Sequence, residues 1–285
     1  MTVPLPDQIA RQVALEPAPL VRSQNLSKRY AQHRPFGRSE SIVQALDDAS
    51  LSIPRGRTLA LVGDSGSGKT TLAKCLALLE KPTSGEIWFD GRNLSELRSK
   101  QLFEVRSRIQ LIFQDPASAL NPRLTAMEIV AEPLAIQKRG GKARQREGAL
   151  DWIERVGLPG DCAGQGPMEL SGGQRQRLAV ARALALGPEL LILDEALSSL
   201  DLANQESMLE LLVELQVRHS LTYLHISHDL RLVSRFADEI AVMNQGRVVE
   251  QQPATRLFAH PSEDYTRDLL LAMPSLESIC ADRSA

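Results

Sequence analysis

Four short runs of apolar residues are spread along the chain without regular polar alternation. They are RTLALVG at 57–63, RIQLIFQ at 108–114, ELLILDE at 189–195 and LTYLHIS at 221–227. Runs of this length are typical of parallel strands that are covered by helices on both faces of the sheet. The pattern therefore predicts an α/β fold in which these four runs form a parallel sheet.

Two further segments have the pattern of antiparallel strands. They are GEIWFDGRNL at 85–94 and DEIAVMNQGRVVE at 238–250, and a turn sequence at Asn244–Gly246 predicts a hairpin in the second. Between residues 115 and 170 no segment predicts a strand, and helical patterns are interrupted by glycines. We therefore expect an antiparallel β subdomain, and a helical subdomain inserted into the sheet domain at about 115–170.

The two ends of the chain have a different character. Residues 1–20 contain several prolines and lack the apolar core and cleavage site of a secretory signal, which predicts a flexible leader. The main domain is expected at 21–250, followed by a helical tail at 251–285. No run of about 18 apolar residues occurs, so any membrane role must come through a partner.

Composition restricts the class of protein. With 285 residues, 43% hydrophobic and 24% charged, the chain has the balance of an ordinary folded protein. A net charge of -2 gives no global positive field that would attract DNA or acidic lipid. Cys75, Cys162 and Cys280 are far apart and odd in number, which favours reduced thiols in a cytosolic setting.

A glycine-rich turn follows the first predicted parallel strand. Its sequence, GDSGSGKT, fits the pattern G-x-x-x-x-G-K-[ST]. Glycines let backbone N–H groups surround phosphate oxygens, and the following helix directs its positive end at the same place. Lys69 would contact the outer phosphates and Thr70 would bind Mg²⁺. A turn without a ligand is the alternative, but the flanking strand and helix favour nucleotide binding. The predicted nucleotide-binding residues here are Gly63, Asp64, Ser65, Gly66, Ser67, Gly68, Lys69, Thr70 and Thr71.

Two acidic residues end the strand at 189–195. Asp194 provides oxygen ligands of the kind that Mg²⁺ prefers, so it is a predicted metal ligand together with Thr70. Glu195 is the predicted general base that takes a proton from the attacking water. The alternative is an acidic pair that only caps a strand at the surface. It is less favoured because the chain also carries the glycine-rich turn.

A third motif, LSGGQRQRLAVARALAL at 170–186, precedes the acidic strand. Ser171 opens a helix, and Gly172 and Gly173 expose N–H groups that form a second anion site. This order of motifs resembles that of the ATP-binding cassette (ABC) ATPases, whose LSGGQ signature is matched in full through Gln174. The resemblance extends from about residue 21 and implies a RecA-like P-loop NTPase core with the two subdomains described above, and ATP with Mg²⁺ as cofactors.

The resemblance also implies roles that spacing alone does not give. In that family two cassettes close head to tail, so Ser171 and Gly173 of one chain meet the γ-phosphate held by the P-loop of the other. Gln114 matches the Q-loop glutamine, which senses Mg²⁺ or the attacking water and links to the membrane partner. His228 matches the switch histidine that contacts the γ-phosphate. His225 and His228 form an HxxH pair, but their strand positions argue against zinc.

Two more residues receive roles through the resemblance. Asp201 ends the SSLD loop, which carries signals across the cassette dimer, and Tyr30 in LSKRYA corresponds to the aromatic residue that stacks on adenine. One departure follows Glu195, where Ala196-Leu197 stands in place of the proline followed by threonine or valine found in many relatives. Neither position supplies a ligand, so we expect no change in the chemistry.

Two segments indicate a branch of the family. IFQDPASALNPRLT at 112–125 and LFAHPSEDYTRDLLLAMP at 257–274 resemble segments of the ATPases of bacterial peptide and nickel importers. An ordinary amphipathic closing helix would also explain the second segment. Several relatives hold an iron–sulfur cluster near the C-terminus, but only Cys280 lies there in this chain, so no cluster is predicted.

The expected function is ATP hydrolysis that powers import of a small solute at the cytoplasmic face of a bacterial inner membrane. The expected partners are transmembrane permease subunits, a second ABC ATPase subunit, identical or paralogous, and indirectly a substrate-binding protein. The alternative is a soluble ABC ATPase that acts on nucleic acid or the ribosome. Such proteins usually carry two cassettes or a long coiled-coil insertion, and the sequence has neither. A P-loop kinase or GTPase is opposed by the signature and by the lack of N-K-x-D.

Overall fold

The structure is a computed structural model that describes residues 19–32, 41–115, 118–198 and 200–272. The predicted leader lies outside the described residues except for its last two positions, and so do residues 273–285 with Cys280.

In the part of the chain that the structure describes, ten strands form two sheets. In chain order the strands are β1 (Pro19–Gln32), β2 (Ser41–Pro54), β3 (Thr58–Val62), β4 (Ser84–Phe89), β5 (Arg92–Asn93), β6 (Ile109–Ile112), β7 (Leu190–Asp194), β8 (Thr222–Ile226), β9 (Glu239–Asn244) and β10 (Arg247–Pro253).

Nine α-helices connect and cover these strands within the described residues. They are α1 (Lys69–Leu76), α2 (Ser99–Arg108), α3 (Ala126–Ile136), α4 (Lys142–Arg155), α5 (Gly172–Leu184), α6 (Leu202–His219), α7 (Leu230–Phe236), α8 (Ala254–Ala259) and α9 (Asp264–Leu271). None of the helices in the described ranges is long and apolar enough to cross a bilayer.

The larger sheet has the strand order β10-β9-β3-β8-β7-β6. The four predicted parallel strands are β3, β6, β7 and β8, and their parallel pairing is confirmed. β9 differs from the prediction in one respect, because it pairs antiparallel with β10 but parallel with β3, with Leu59 opposite Glu239. Its residues Ile240 to Met243 are fully buried, and this apolar run lets β9 serve as an inner strand of the main sheet.

The smaller sheet has the order β2-β1-β4-β5 and is antiparallel throughout. The predicted strand pair at 85–94 is the β4–β5 hairpin, which turns at Asp90 and Gly91 with φ of 53° and 73°. Positive φ at both positions is typical of hairpin turns whose twist matches that of the strands.

Helix α1 packs between the two sheets. Leu72, Cys75 and Leu76 are buried in one apolar cluster with Leu26 of β1 and Leu59 of β3. Burial of a leucine side chain contributes about 1.5–3 kcal/mol, so these contacts fix the position of α1 firmly. Burial also raises the pKa of Cys75 to about 11, which leaves its thiol protonated and unreactive at neutral pH. The start of α1 is therefore held by both sheets.

In chain order the helices α3 and α4 are inserted between β6 and β7, two strands that are neighbours in the sheet. Helix α5 packs against both helices through a buried cluster that includes Ile129, Ile153 and Leu178.

The bounds of the main domain differ slightly from those predicted. β1 begins at Pro19 with Leu20 buried, two positions before the predicted start of the main domain, and β10 continues to Pro253, past the predicted end of that domain. The division into leader, cassette with inserted helices, and tail stays a prediction.

Candidate functional site

The loop at 63–68 joins β3 to α1, and close contacts surround it. Gly63 has φ of 146°, and a Cβ there would lie 2.0 Å from the Met243 carbonyl oxygen. Gly68 has φ of 106°, and a Cβ there would lie 2.4 Å from the Ala45 carbonyl oxygen. No larger residue fits either position without moving backbone. The loop is thus held closely by β9 and β2, and its glycines bring backbone N–H groups to the start of α1.

Lys69 is buried at the base of this loop. Its Nζ donates hydrogen bonds to the carbonyl oxygens of Gly63, at 2.8 Å, and Asp64, at 2.7 Å. Burial lowers the pKa of the Lys69 ammonium, while the nearby carboxylates of Glu195, Asp194 and Asp64 oppose that change. These two hydrogen bonds hold the Lys69 ammonium against the loop.

Thr70 and Asp194 lie beside each other, at the start of α1 and the end of β7. The Thr70 hydroxyl donates to Asp194 Oδ1 at 3.2 Å. Asp194 is only 3% exposed, and burial raises the pKa of its carboxyl group. A hydroxyl and a carboxylate are oxygen donors of the kind that Mg²⁺ prefers, so the residues present fit that ion.

Glu195 follows Asp194 and projects toward two other predicted site residues. Its backbone adopts the left-handed region, with φ of 49°, and its N–H donates to the Ile226 carbonyl oxygen at 3.0 Å. Gln114 Nε2 donates to Glu195 Oε2 at 2.9 Å, and His228 Nδ1 lies 3.6 Å from Glu195 Oε1. The three predicted catalytic residues therefore meet beyond the carboxyl ends of β6, β7 and β8.

The turn after Glu195 is held from two helices by residues that the sequence reasoning missed. Gln176 of α5 donates to the Ala196 carbonyl oxygen at 2.7 Å, and Gln205 of α6 donates to the Leu197 carbonyl oxygen at 3.1 Å. Ala196 and Leu197 are both buried in the apolar core. Gln176 lies two residues beyond the signature motif, and that short separation was the one signal available for it.

The signature residues form the beginning of α5. Ser171 caps the helix by accepting from the Gln174 N–H at 3.3 Å, while its own N–H donates to Gln174 Oε1 at 2.8 Å. Such a capping box fixes the first turn of a helix. Ser171 and Gly172 are exposed to solvent. The first turn of α5 is therefore rigid and accessible.

Asp201 caps α6 next to the signature helix. Its carboxylate accepts from the Asn204 N–H at 3.0 Å and from Asn204 Nδ2 at 2.7 Å, and these bonds lower its pKa. A Cβ on Gly173 would lie 3.0 Å from Asn204 Oδ1. Asn204 thus bonds to the predicted signalling residue Asp201 and lies close to Gly173 of the signature. Ser199, in the same SSLD segment, lies outside the described residues.

Tyr30 lies on β1 close to α1. Its hydroxyl donates to the carboxylate of Glu80, and its ring centroid lies 5.0 Å from Lys28 Nζ. Burial and the neighbouring carboxylate of Glu80 raise the pKa of Tyr30 to about 12, whereas a hydrogen bond from Thr71 of α1 lowers it. Its stacking on adenine stays a prediction.

Comparison with known proteins decides the family. The sequence model described as "ABC transporter" matches residues 46–198, which is more than half of the chain. The chain belongs to the ABC transporter family. The matched range contains the glycine-rich loop, the signature and Glu195. The chain therefore has the ATP-binding and ATP-hydrolysing domain of that family, as predicted.

Named relatives show which members of the family this chain resembles. The chain is 43% identical over 256 residues to a probable peptide ABC transporter ATP-binding protein, y4tS, of Sinorhizobium fredii, covering 90% of this chain and 72% of that protein. It is 41% identical over 258 residues to the dipeptide transport ATP-binding protein DppF of Escherichia coli, covering 90% and 77%. These names confirm the predicted peptide branch at the level of the family and give the nucleic-acid alternative no support.

Solved structures with the same fold are ABC cassettes. A dimeric post-hydrolysis state of the cassette MJ0796, bound to ADP and Pi, has a TM-score of 0.73 at 32% identity and covers 82% of this chain and 98% of that one. The cassette cbiO1 of Clostridium perfringens, part of the transporter complex cbiONQ, has a TM-score of 0.73 at 27% identity and covers 94% and 100%. The predicted fold class is confirmed.

Proposed function

We propose that this chain is the ATP-hydrolysing subunit of a bacterial peptide importer, and that the residues assembled around Glu195 carry out the hydrolysis. The observation that carries the proposal is the joint position of Lys69, Thr70, Asp194 and Glu195 at one edge of the main sheet. Peptide as the cargo rests on the names of the relatives, y4tS and DppF among them.

In the proposed mechanism the chain's own residues bind the phosphates and move one proton. The N–H groups of 63–68 and the Lys69 ammonium hold the triphosphate. Thr70, Asp194 and Gln114 would hold Mg²⁺, which when bound offsets the negative charge that develops on the phosphate oxygens. Glu195 takes the proton from the attacking water.

Two residues orient that base. The hydrogen bond from Gln114 directs one carboxylate oxygen of Glu195, and His228 lies beside the other. The His228 side chain is 63% exposed, which leaves it accessible to the γ-phosphate of a bound nucleotide. Both residues would thus connect Glu195 to the state of the nucleotide.

The proposed site is completed by a second ABC ATPase subunit, an identical chain or a paralogue. Ser171 and Gly172 are exposed, and the hydrogen bonds of Ser171 described above are made within its own helix turn, so this anion-binding turn is available to a partner. Closing of two cassettes on ATP would move α3 to α5 and so act on permease subunits. The chain would then lie peripherally at the cytoplasmic face of the inner membrane, and a substrate-binding protein would deliver the peptide.

Copurification of the untagged complex from bacterial membranes tests this function. We expect hydrophobic permease subunits in the complex, together with ATPase activity that a cognate peptide-loaded binding protein stimulates. Recovery of ribosomal proteins or RNA in their place would support the nucleic-acid alternative and contradict the importer.

A further inference from the structure

Helix α9, near the end of the described chain, contacts the glycine-rich loop through one side chain. The Tyr265 hydroxyl donates to Asp64 Oδ2 at 2.8 Å, and the Tyr265 hydroxyl oxygen accepts from the Asp64 N–H at 3.2 Å. Asp64 is the second residue of the loop, and Tyr265 lies 201 positions further along the chain. One hydroxyl therefore fixes both the backbone and the side chain of Asp64.

Helix α9, which carries Tyr265, is held in place at its start and near its end. The carboxylate of Glu250 on β10 accepts from the N–H groups of Ser262, at 2.8 Å, and Glu263, at 3.2 Å, directly before α9. Leu270 of α9 is buried in a cluster with Leu257 of α8 and with residues of β3 and β9. The position of Tyr265 is thus set by the same strands that surround the loop.

The contact leads directly to the predicted phosphate-binding groups. The Asp64 carbonyl oxygen accepts from Lys69 Nζ at 2.7 Å and from the Ser67 N–H at 3.1 Å. Fixing Asp64 therefore limits the motion of both Lys69 and the turn at 64–67. Burial raises the pKa of the Tyr265 hydroxyl, so this group remains a proton donor across the neutral range.

We propose that Tyr265 is a positioning residue for nucleotide binding: it holds Asp64, and through it the loop and Lys69, in the conformation that accepts phosphate. The proposal rests on the assignment of residues 63–70 as the phosphate-binding loop. A loop that is held before binding loses less conformational freedom when the ligand arrives, so affinity rises. Tyr265 lies outside the range that the family model matches, which ends at residue 198.

The variant Tyr265→Phe tests the proposal, because it removes the hydroxyl and keeps the ring. Fluorescent ATP-analogue titration and steady-state ATPase kinetics would be measured on the full chain. We expect the Kd and the KM for ATP to rise by about three- to tenfold, the usual scale for one or two lost hydrogen bonds. We expect kcat to stay within about twofold and the thermal midpoint to fall by no more than about 4 °C, since ring packing is retained and only these hydrogen bonds are lost.

Two further measurements separate positioning from a general structural effect. In Tyr265→Phe, amide hydrogen exchange should become faster at Asp64, while the strands of the main sheet keep their protection from exchange. In a double-mutant cycle, Tyr265→Phe should cost less affinity in an Asp64→Ala background than alone, because the two residues act through one contact. Additive effects, or unchanged exchange at Asp64, would overturn the proposal.

Controls distinguish this proposal from the assignment beneath it. Leu271→Ala, in the same helix but 80% exposed, should behave as wild type. Loss of affinity in Lys69→Ala with wild-type affinity in Tyr265→Phe would overturn the positioning role alone. Wild-type affinity in Lys69→Ala would overturn the phosphate-binding loop itself.

Discussion

The two motifs that would grip one ATP molecule differ in how far the chain itself holds them. In the glycine-rich loop and the start of α1, Asp64 bonds to Tyr265 of α9 and Thr70 bonds to Asp194 of β7, while Lys69 bonds to the loop itself. In the signature, Ser171 and Gln174 bond to each other at an exposed helix start. The difference teaches that the glycine-rich half of the proposed site is held by distant elements of its own fold, while the signature half is exposed, as the proposed pairing with a second chain requires.

The largest expected effect is on the half of the site that contains the glycine-rich loop, at the proposed general base Glu195. Glu195→Gln should slow turnover by about 10²- to 10⁴-fold, the usual scale for loss of a general base, while ATP affinity is kept. Phosphate release and equilibrium nucleotide titration measure the two quantities. Glu214→Gln, on the exposed face of α6, is the matched control. Wild-type turnover in Glu195→Gln would remove Glu195 from the mechanism.

The next effect also belongs to the half that contains the glycine-rich loop. Lys69→Ala removes a charged donor to phosphate, so ATP affinity should fall by about 10- to 100-fold, as expected for a charge-assisted hydrogen bond. The measurement is an equilibrium titration with a fluorescent ATP analogue. Lys100→Ala, at an exposed position of α2, should bind as wild type does. Equal affinities in the two variants would contradict the phosphate cradle.

A smaller effect is expected at the signature, and it should appear only in the association of two chains. In a Glu195→Gln background, Ser171→Arg should weaken ATP-dependent dimer formation by about tenfold or more, because a bulky charge enters the centre of the proposed interface. Nucleotide affinity of the monomer should not change. Light scattering with and without ATP measures the dimer.

Ser171→Thr keeps a side-chain oxygen for the helix cap and serves as the matched control. If Ser171→Arg instead weakened nucleotide binding by the monomer, the two halves would belong to one chain, and the comparison above would be wrong.

The smallest effect concerns stability and pH. Because burial raises the pKa of Asp194 in the folded chain, the unfolded chain loses that proton first as pH rises. The resulting cost begins near the ordinary pKa of an aspartate and grows as the pH rises toward the raised value. Asp194→Asn should therefore raise the thermal midpoint at pH 7 without Mg²⁺ by about 2 °C. At pH 3, below both pKa values, the gain should vanish, and calorimetry at the two pH values tests this.

The sequence was sufficient for the elements whose signal is local. β3, β6, β7 and β8 are apolar runs of the right length, and the loop at 63–68 carries its own pattern. The meeting of Gln114, Glu195 and His228 also follows, because parallel strands place their carboxyl ends at one edge. The sequence alone is therefore enough to expect these groups to lie together.

Features that depend on distant pairing could not be predicted. The place of β9 beside β3 joins residues about 180 positions apart, as in the Leu59–Glu239 pair, and no local spacing encodes it. The same holds for Tyr265 at Asp64 and for Gln176 at Ala196, since an ordinary tyrosine or glutamine carries no signal of its partner. Contacts of this kind are set by packing and become visible only in three dimensions.

The left-handed backbone at Glu195 has a consequence for anyone who engineers this protein. A non-glycine residue with φ of 49° costs about 1–2 kcal/mol, so a glycine there would relax the turn. A library screened only for heat resistance should therefore enrich Glu195→Gly, a variant that is expected to unfold at a higher temperature and that lacks the proposed proton acceptor. Thermostability campaigns on this cassette need an activity screen at every round, or position 195 excluded from the start.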